Sequence, residues 1–355
     1  FGLALATTAR AAAEELQADA AEPFQFGFAK ADVTPERPLR LSGYGNRVEP
    51  FTGIDERLWA RAMVLRSDGG DHVLVAVDSI GVPGTFTKDV LERLHKRFGI
   101  ERERFVICCT HSHTAPHVAA GLMNLFATPL TEEQKQATEE YSARLADQIV
   151  NAVAAAVADL KPGRMSVGHG KVGFAANRRV VKDSRWSGFG VNPKAPVDHS
   201  VPVLKITDLD GKLRGIVFNY ACHCTTLTGA HNRVNGDWAG YAAMNLEEKH
   251  PGTVALCTIG CGADANPEPR GELEMAQAHG RALSLEVEAV LKGDMMEITA
   301  PPVASFGFAG LPIERPSLDE LRGRLDDKSP QARRHAQNML DLHEKMGRLP
   351  ETYPA

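Results

Sequence analysis

The feature that most constrains this chain is its alternation of short apolar runs with longer stretches of helical spacing. Polar clusters sit where the apolar stretches end. Residues 24–33 alternate apolar and polar side chains and stop at Thr34-Pro35, the pattern of a strand followed by a turn. Two apolar runs, 58–66 and 72–77, surround Ser67-Asp68-Gly69-Gly70 and predict a hairpin. Residues 85–98 space Phe86, Val90, Leu91 and Leu94 for a helix, and 105–109 read as a buried strand. A long Ala-rich helix is expected over 131–160, ended by Pro162-Gly163, with strands at 164–172, 201–206 and 213–220. Helices near 239–249 and 273–291 flank a buried strand at 254–259, and a charged helix is expected over 317–348, ended by Pro350. Strands and helices interleave, so the expected class is α/β: a mixed β-sheet core with flanking helices. Length alone would allow two domains, but no repeat, low-complexity linker or boundary follows Pro23, so a single domain is expected.

Four polar clusters carry the chemistry, because ligands in α/β sheets gather beyond strand ends. Thr110-His111-Ser112-His113 directly follows an apolar strand. Histidines two apart point alike if extended, which suits a metal ligand beside a proton-transfer group; a surface or core role is the plainer alternative. His223, in Asn219-Tyr220-Ala221-Cys222-His223-Cys224, closes a second buried strand, as a fixed ligand or as a satisfied core histidine. Asp237, in Asn235-Gly236-Asp237-Trp238, can cap the following helix or orient a metal-bound imidazole. Gly260-Cys261-Gly262-Ala263-Asp264-Ala265-Asn266 is a glycine-rich turn that either brings backbone N–H groups to a ligand or simply turns.

Composition narrows the classes further. A net charge of −5, with Lys and Arg spread among acids, leaves no polyanion footprint, so nucleic acid is not expected as a partner. Residues 1–13, FGLALATTARAAA, resemble the tail of a secretory signal peptide, although a small Ala-rich helix is the alternative. Residues 1–22 are therefore expected to be a leader remnant, 23–355 the catalytic domain, and the protein secreted or periplasmic. The six cysteines sit in apolar or glycine-rich segments, and Cys222-His223-Cys224 lacks the paired spacing of a structural zinc site. Buried, mostly unpaired thiols are expected, with a disulfide open to an exported protein.

Taken in order, the clusters resemble the catalytic domain of the neutral/alkaline non-lysosomal ceramidases. THSHTAPHV at 110–118, FNYACHCTT at 218–226 and GDWAGYA at 236–242 carry the resemblance. Asn177-Arg178-Arg179, the opening Ala31-Asp32-Val33-Thr34-Pro35, Gly43-Tyr44-Gly45 and Gly53-Ile54 add to it. It implies a zinc hydrolase of a fatty-acyl amide, acting on ceramide or a related N-acyl lipid, with peripheral contact to a membrane surface. It also implies Zn2+ ligands at His111 and His223, His113 bonding the developing oxyanion or relaying a proton, and Arg178 lining the site. Asp237, Asp264, Ala265 and Asn266 are the further site-lining candidates. The family's other two ligands, a Glu and a Tyr, have no matching segment before Ala355, so they are expected further along a longer chain. Ala265 stands where the family has a serine, which leaves water as the expected nucleophile. Thr114-Ala115-Pro116-His117 replaces a small glycine-rich loop and is expected to narrow the entrance. An esterase on the same zinc scaffold, or an exported lipid- or glycan-binding protein without catalysis, are the competing readings.

Overall fold

The computed structural model describes residues 24–354, apart from Asp68 and Met123; the expected leader lies outside the described residues. Strands β1 (Gln25–Asp32), β2 (Trp59–Ser67) and β3 (Gly70–Val77) form an antiparallel meander. After helix α1 (Gly84–Phe98), β4 (Phe105–Cys109) lies parallel to β3. Helix α2 (Glu132–Ala158) starts in a capping box between Thr131 and Gln134, a device worth about 1 kcal/mol. Strand β5 (Lys161–Lys171) touches β1 with its first residues and then runs antiparallel to β9 (Ser200–Asp208). The chain between them makes the short β6 (Ala175–Asn177) and a hairpin of β7 (Arg179–Lys182) and β8 (Arg185–Phe189). Strand β10 (Leu213–Tyr220) returns beside β9, and β11 (Val254–Ile259), reached through α3 (Asp237–Lys249), lies parallel to β10. Then β12 (Ala265–Pro267) pairs with β6, and after α4 (Leu273–Lys292) the short β13 (Met296–Ile298) pairs with β5.

The main sheet therefore has nine strands in the order β11-β10-β9-β5-β1-β2-β3-β4, with β13 on β5. It folds back on itself where β5 meets β1. Phe26, Phe28, Met63, Leu65, Val217 and Leu256 fill the space between the two halves. Leu145, Ile149 and Val153 of α2 cover one outer face against Val64 and Val75. Trp238, Leu246, Leu283 and Val287 of α3 and α4 cover the other against Val203, Ile216 and Phe218. Four layers result, each fully buried aliphatic or aromatic side chain contributing on the order of 1.5–3 kcal/mol. The folding back brings β4 and β11, opposite ends of the strand order, into contact: the Ile259 amide reaches the Cys108 sulfur at 3.5 Å. The carboxyl ends of β3, β4, β10 and β11 thus share one rim.

The expected α/β class with a mixed sheet and flanking helices holds. Three local expectations do not. Pro162-Gly163 does not end α2, which stops at Ala158; both residues lie in β5. Pro162 precedes the β9 ladder, which begins at Gly163, so its missing N–H costs nothing on that side. The charged tail is not one helix but α5 (Leu318–Gly323) and α6 (Pro330–Met346), because Ser329 caps a new helix with Pro330 in its first turn. Asn235–Tyr241 follows a loop and opens α3, rather than closing a strand. Among the described residues, no helix is long and apolar enough to cross a membrane.

Candidate metal centre

Two strand ends and two loops from elsewhere in the chain build the site. His111 stands just beyond β4 with φ 61°, a left-handed conformation uncommon outside glycine and a recurrent mark of functional positions. Its Nδ1 lies 2.7 Å from the Ile80 carbonyl beyond β3. His113 places Nδ1 3.1 Å from the Gly43 carbonyl, and its amide donates to the Cys224 carbonyl at 3.2 Å. His223, beyond β10, places Nδ1 2.7 Å from the Gly262 carbonyl, and its amide donates to the Ala265 carbonyl at 3.0 Å. A parallel bridge between Ser112 and Cys224 ties the two histidine segments together. Glycine is required at two of these anchors. A Cβ on Gly43 (φ +89°) would lie 2.5 Å from the His113 ring, and one on Gly262 would lie 2.5 Å from the Cys222 amide nitrogen.

A carbonyl can only accept, so each Nδ1 carries the hydrogen and each Nε2 keeps its lone pair. Ring nitrogens, one each from His111, His113 and His223, lie within 4.8 Å of one another, and the rings of His111 and His223 are 4.6 Å apart. The three can hold a metal ion. His113 Nε2 is buried without a hydrogen-bond partner, a situation that costs about 1–3 kcal/mol unless something else satisfies the atom. The orphaned lone pair of His113, beside two more carbonyl-locked neutral imidazoles, fits a divalent cation of the zinc type, which would have to displace the Arg178 N–H from His223 Nε2. Burial is the main reason that all three resist protonation. His113 is pushed down to about 2, with further repulsion from His111, His223 and Arg47. His223 falls to about 4, its Gly262 bond opposing the drop and Arg178 adding to it. His111 is lowered also.

Arg178 reaches the same cluster, its Nη2 3.0 Å from His223 Nε2. Two bonds to the Ala263 carbonyl (3.1 and 2.8 Å) and one to Asn266 Oδ1 (3.2 Å) fix the guanidinium. Of the flanking candidates, Asp264 accepts from Asn177 Nδ2 at 3.0 Å, and its carbonyl accepts from the Arg178 amide at 2.7 Å. Ala265 is buried in β12 opposite Asn177 and acts on the site through its carbonyl. These residues shape the arginine and His223 rather than pointing into the cluster.

Two expectations are corrected here. Asp237 neither caps α3 nor touches a histidine of the cluster: it is the first residue of the helix, at φ 55°, and its carboxylate accepts from the Leu227 and Trp238 amides at 3.0 and 2.7 Å. Its link to the site runs through Trp238, whose Nε1 donates to the His223 carbonyl at 2.9 Å. Thr114-Ala115-Pro116-His117 is buried instead of narrowing an entrance. Pro116 bridges Leu41, Thr114 donates to the Asn235 carbonyl, and the His117 ring packs on Phe126. All six cysteines are unpaired; Cys222, Cys224 and Cys257 are buried, Cys108 and Cys109 partly so, and Cys261 is exposed.

Sequence reasoning missed Arg47. It is buried, donates to the carbonyls of Ser42, His113 and His231, and so ties three segments together under the cluster. Burial lowers it to about 10, which leaves it charged near neutrality. The nearest signal was the Gly43-Tyr44-Gly45 turn just before it, which marks a tight backbone without saying what it supports.

Comparison with known proteins bears on the same residues. The family model for neutral/alkaline non-lysosomal ceramidase, N-terminal, matches residues 24–268, which include every histidine of the cluster. The chain belongs to the neutral/alkaline non-lysosomal ceramidase family. It is 30% identical over 234 residues to the neutral ceramidase of Pseudomonas aeruginosa, covering 63% of this chain and 34% of that protein. It is also 30% identical over 232 residues to that of Mycobacterium tuberculosis (61% and 34%), and 27% over 243 residues to that of Drosophila melanogaster (64% and 32%). The chain spans about a third of the length of these ceramidases. The crystal structure of the Pseudomonas aeruginosa ceramidase shares the fold at a TM-score of 0.64 and 22% identity, over 79% of this chain and 46% of that one.

Proposed function

We propose that this chain carries the catalytic residues of a zinc-dependent hydrolase of an N-acyl amide, with ceramide or a related N-acyl lipid as substrate and a fatty acid plus an amine as products. One observation supports the reading most: three neutral imidazoles whose Nδ1 atoms are tied to backbone carbonyls and whose Nε2 atoms converge. His111 and His223 would hold the zinc. The ion, when bound, supplies a Lewis acid for the amide carbonyl and an activated water.

The protein's own groups do the rest. With Nδ1–H committed to Gly43, His113 offers a lone pair at Nε2, so of its two expected roles proton relay fits better than oxyanion donor. Because burial keeps its ring neutral, it would hold the attacking water's proton only in passing before handing it to the departing amine nitrogen. Arg178, anchored by Ala263 and Asn266, presents a fixed cation to the acyl oxygen as charge grows there. Ala265 offers no hydroxyl, in keeping with attack by water. A secreted or periplasmic location and further ligands from a Glu and a Tyr outside this sequence belong to the same proposal.

The test is turnover by the full-length protein of an N-acyl lipid panel and a matched ester panel, with and without chelator. Chelator-sensitive hydrolysis of amides is expected. Chelator-sensitive hydrolysis of esters alone would replace the substrate class with an ester, and binding without turnover would replace hydrolysis altogether.

A further inference from the structure

The β7–β8 hairpin is unlike the rest of the surface. It starts at the residue after Arg178, so it is rooted at the metal centre. Asp183 and Ser184 form its two-residue turn with φ 48° and 61°, the left-handed pair that a tight right-twisted hairpin requires. Arg179 pairs with Phe189 and Val181 with Trp186, and the bulge at Val180/Val181 lets the two aromatic rings meet edge-on at 5.6 Å. One face therefore carries Val181, Trp186 and Phe189, which are 53%, 59% and 63% exposed. The cations Arg178, Arg179, Lys182, Arg185 and Lys194 stand against the single carboxylate of Asp183 over residues 178–194, in a chain whose net charge is −5. Arg178 and Arg179 lie over the Phe189 ring at 5.0 and 5.4 Å.

We infer that this hairpin docks the protein on an anionic phospholipid surface, seating Trp186 and Val181 at the headgroup level beside the metal centre. Two independent features favour that occupant. Trp on an exposed, tightly turned tip prefers a membrane–water interface. A local basic excess on an otherwise acidic chain complements anionic headgroups and would repel a second copy's equivalent hairpin. The inference deepens the lipid-hydrolase reading and rests on it for its purpose, although docking itself is measured without turnover.

The test is co-sedimentation of the full-length protein with vesicles of phosphatidylglycerol and phosphatidylcholine in equal parts, at low and high salt. A parallel assay follows turnover of a water-soluble short-chain N-acyl substrate. Trp186→Ala is expected to weaken vesicle binding about tenfold. Lys182→Gln and Arg185→Gln should each weaken it about fivefold at low salt, with little effect at high salt. All three should keep wild-type turnover of the soluble substrate while losing turnover of vesicle-borne substrate. Val181→Ser gives an independent reading should Trp186→Ala fold poorly. Equal vesicle binding by wild type and every variant would overturn the inference. So would a Trp186→Ala change in oligomer mass with vesicle binding intact, since a second copy would then cover the face. Failure of every protein to cleave the soluble substrate would count against the hydrolase reading, while the vesicle result still judged the hairpin.

Discussion

His113 and His223 share a cluster but should fail differently when removed. His223→Ala takes away a proposed ligand, so zinc affinity, read by competition with a chromogenic chelator, should collapse along with turnover. His113→Ala should keep most zinc affinity and lose roughly 10²–10⁴-fold in rate, the usual worth of a positioned proton-transfer group. Loss of zinc in His113→Ala would make His113 a third ligand instead. Ala265 allows a separate check on the nucleophile. Its carbonyl, not its methyl, holds His223, so Ala265→Ser should leave the backbone in place and change the rate less than about tenfold. Hydrolysis appearing only in Ala265→Ser would exclude the water route for this protein. At this scale the candidate cluster was legible: two apolar runs ending in histidines marked His111 and His113, and His223, as candidates because ligands gather beyond strand ends. The anchors Ile80, Gly43 and Gly262 and the buried Arg47 were not. Their role lies in backbone carbonyls and in segments far apart in sequence, neither of which leaves a residue-type signal.

At the scale of elements, the loops feeding the rim are set by close approaches and buried charge. Gly43→Ala puts a methyl into the His113 ring from a left-handed backbone, so it should cost about 1–3 kcal/mol of stability and lower turnover as His113 shifts. A wild-type urea midpoint and rate in that variant would contradict the tight packing. Glu56 joins the loop after residue 53 to the start of α3, its carboxylate accepting from the Gly236 amide at 3.2 Å. Burial first, then the nearby Asp78, push its carboxyl up to about 8 from the ordinary 4.5. Because the folded form holds this proton longer than the unfolded chain does, stability is lost as pH rises from about 4.5 to about 8 and levels off above. Glu56→Gln should remove that slope and be more stable than wild type at pH 8.5 by on the order of 2–4 kcal/mol, with the gap closing below pH 4.5. Identical urea midpoints at both pH values would contradict it. The long elements were readable because their periodicity extends over many residues; β6, β7, β8 and β12 are too short to show one. Pro162-Gly163 misled because the same dipeptide that ends helices also suits a strand's first residues.

For the whole molecule, the alternation of strands and helices implied an α/β class, but not the fold-back that stacks the two halves of the sheet. That packing depends on which side chains fill the middle, Phe26, Phe28, Val217 and Leu256 among them, and strand order cannot be read from one chain's periodicity. It is this fold-back that carries His111 and His223, 112 positions apart, to neighbouring places on one rim. Zinc content measured against turnover tests the central claim most directly. Full-length protein stripped with chelator, dialysed and reconstituted should regain N-acyl hydrolysis in proportion to zinc, reaching full rate near one ion per chain. The double variant His111→Ala/His223→Ala should bind no stoichiometric zinc and show no hydrolysis. Full turnover by the metal-free protein, or one tightly held zinc per chain in the double variant, would contradict the account.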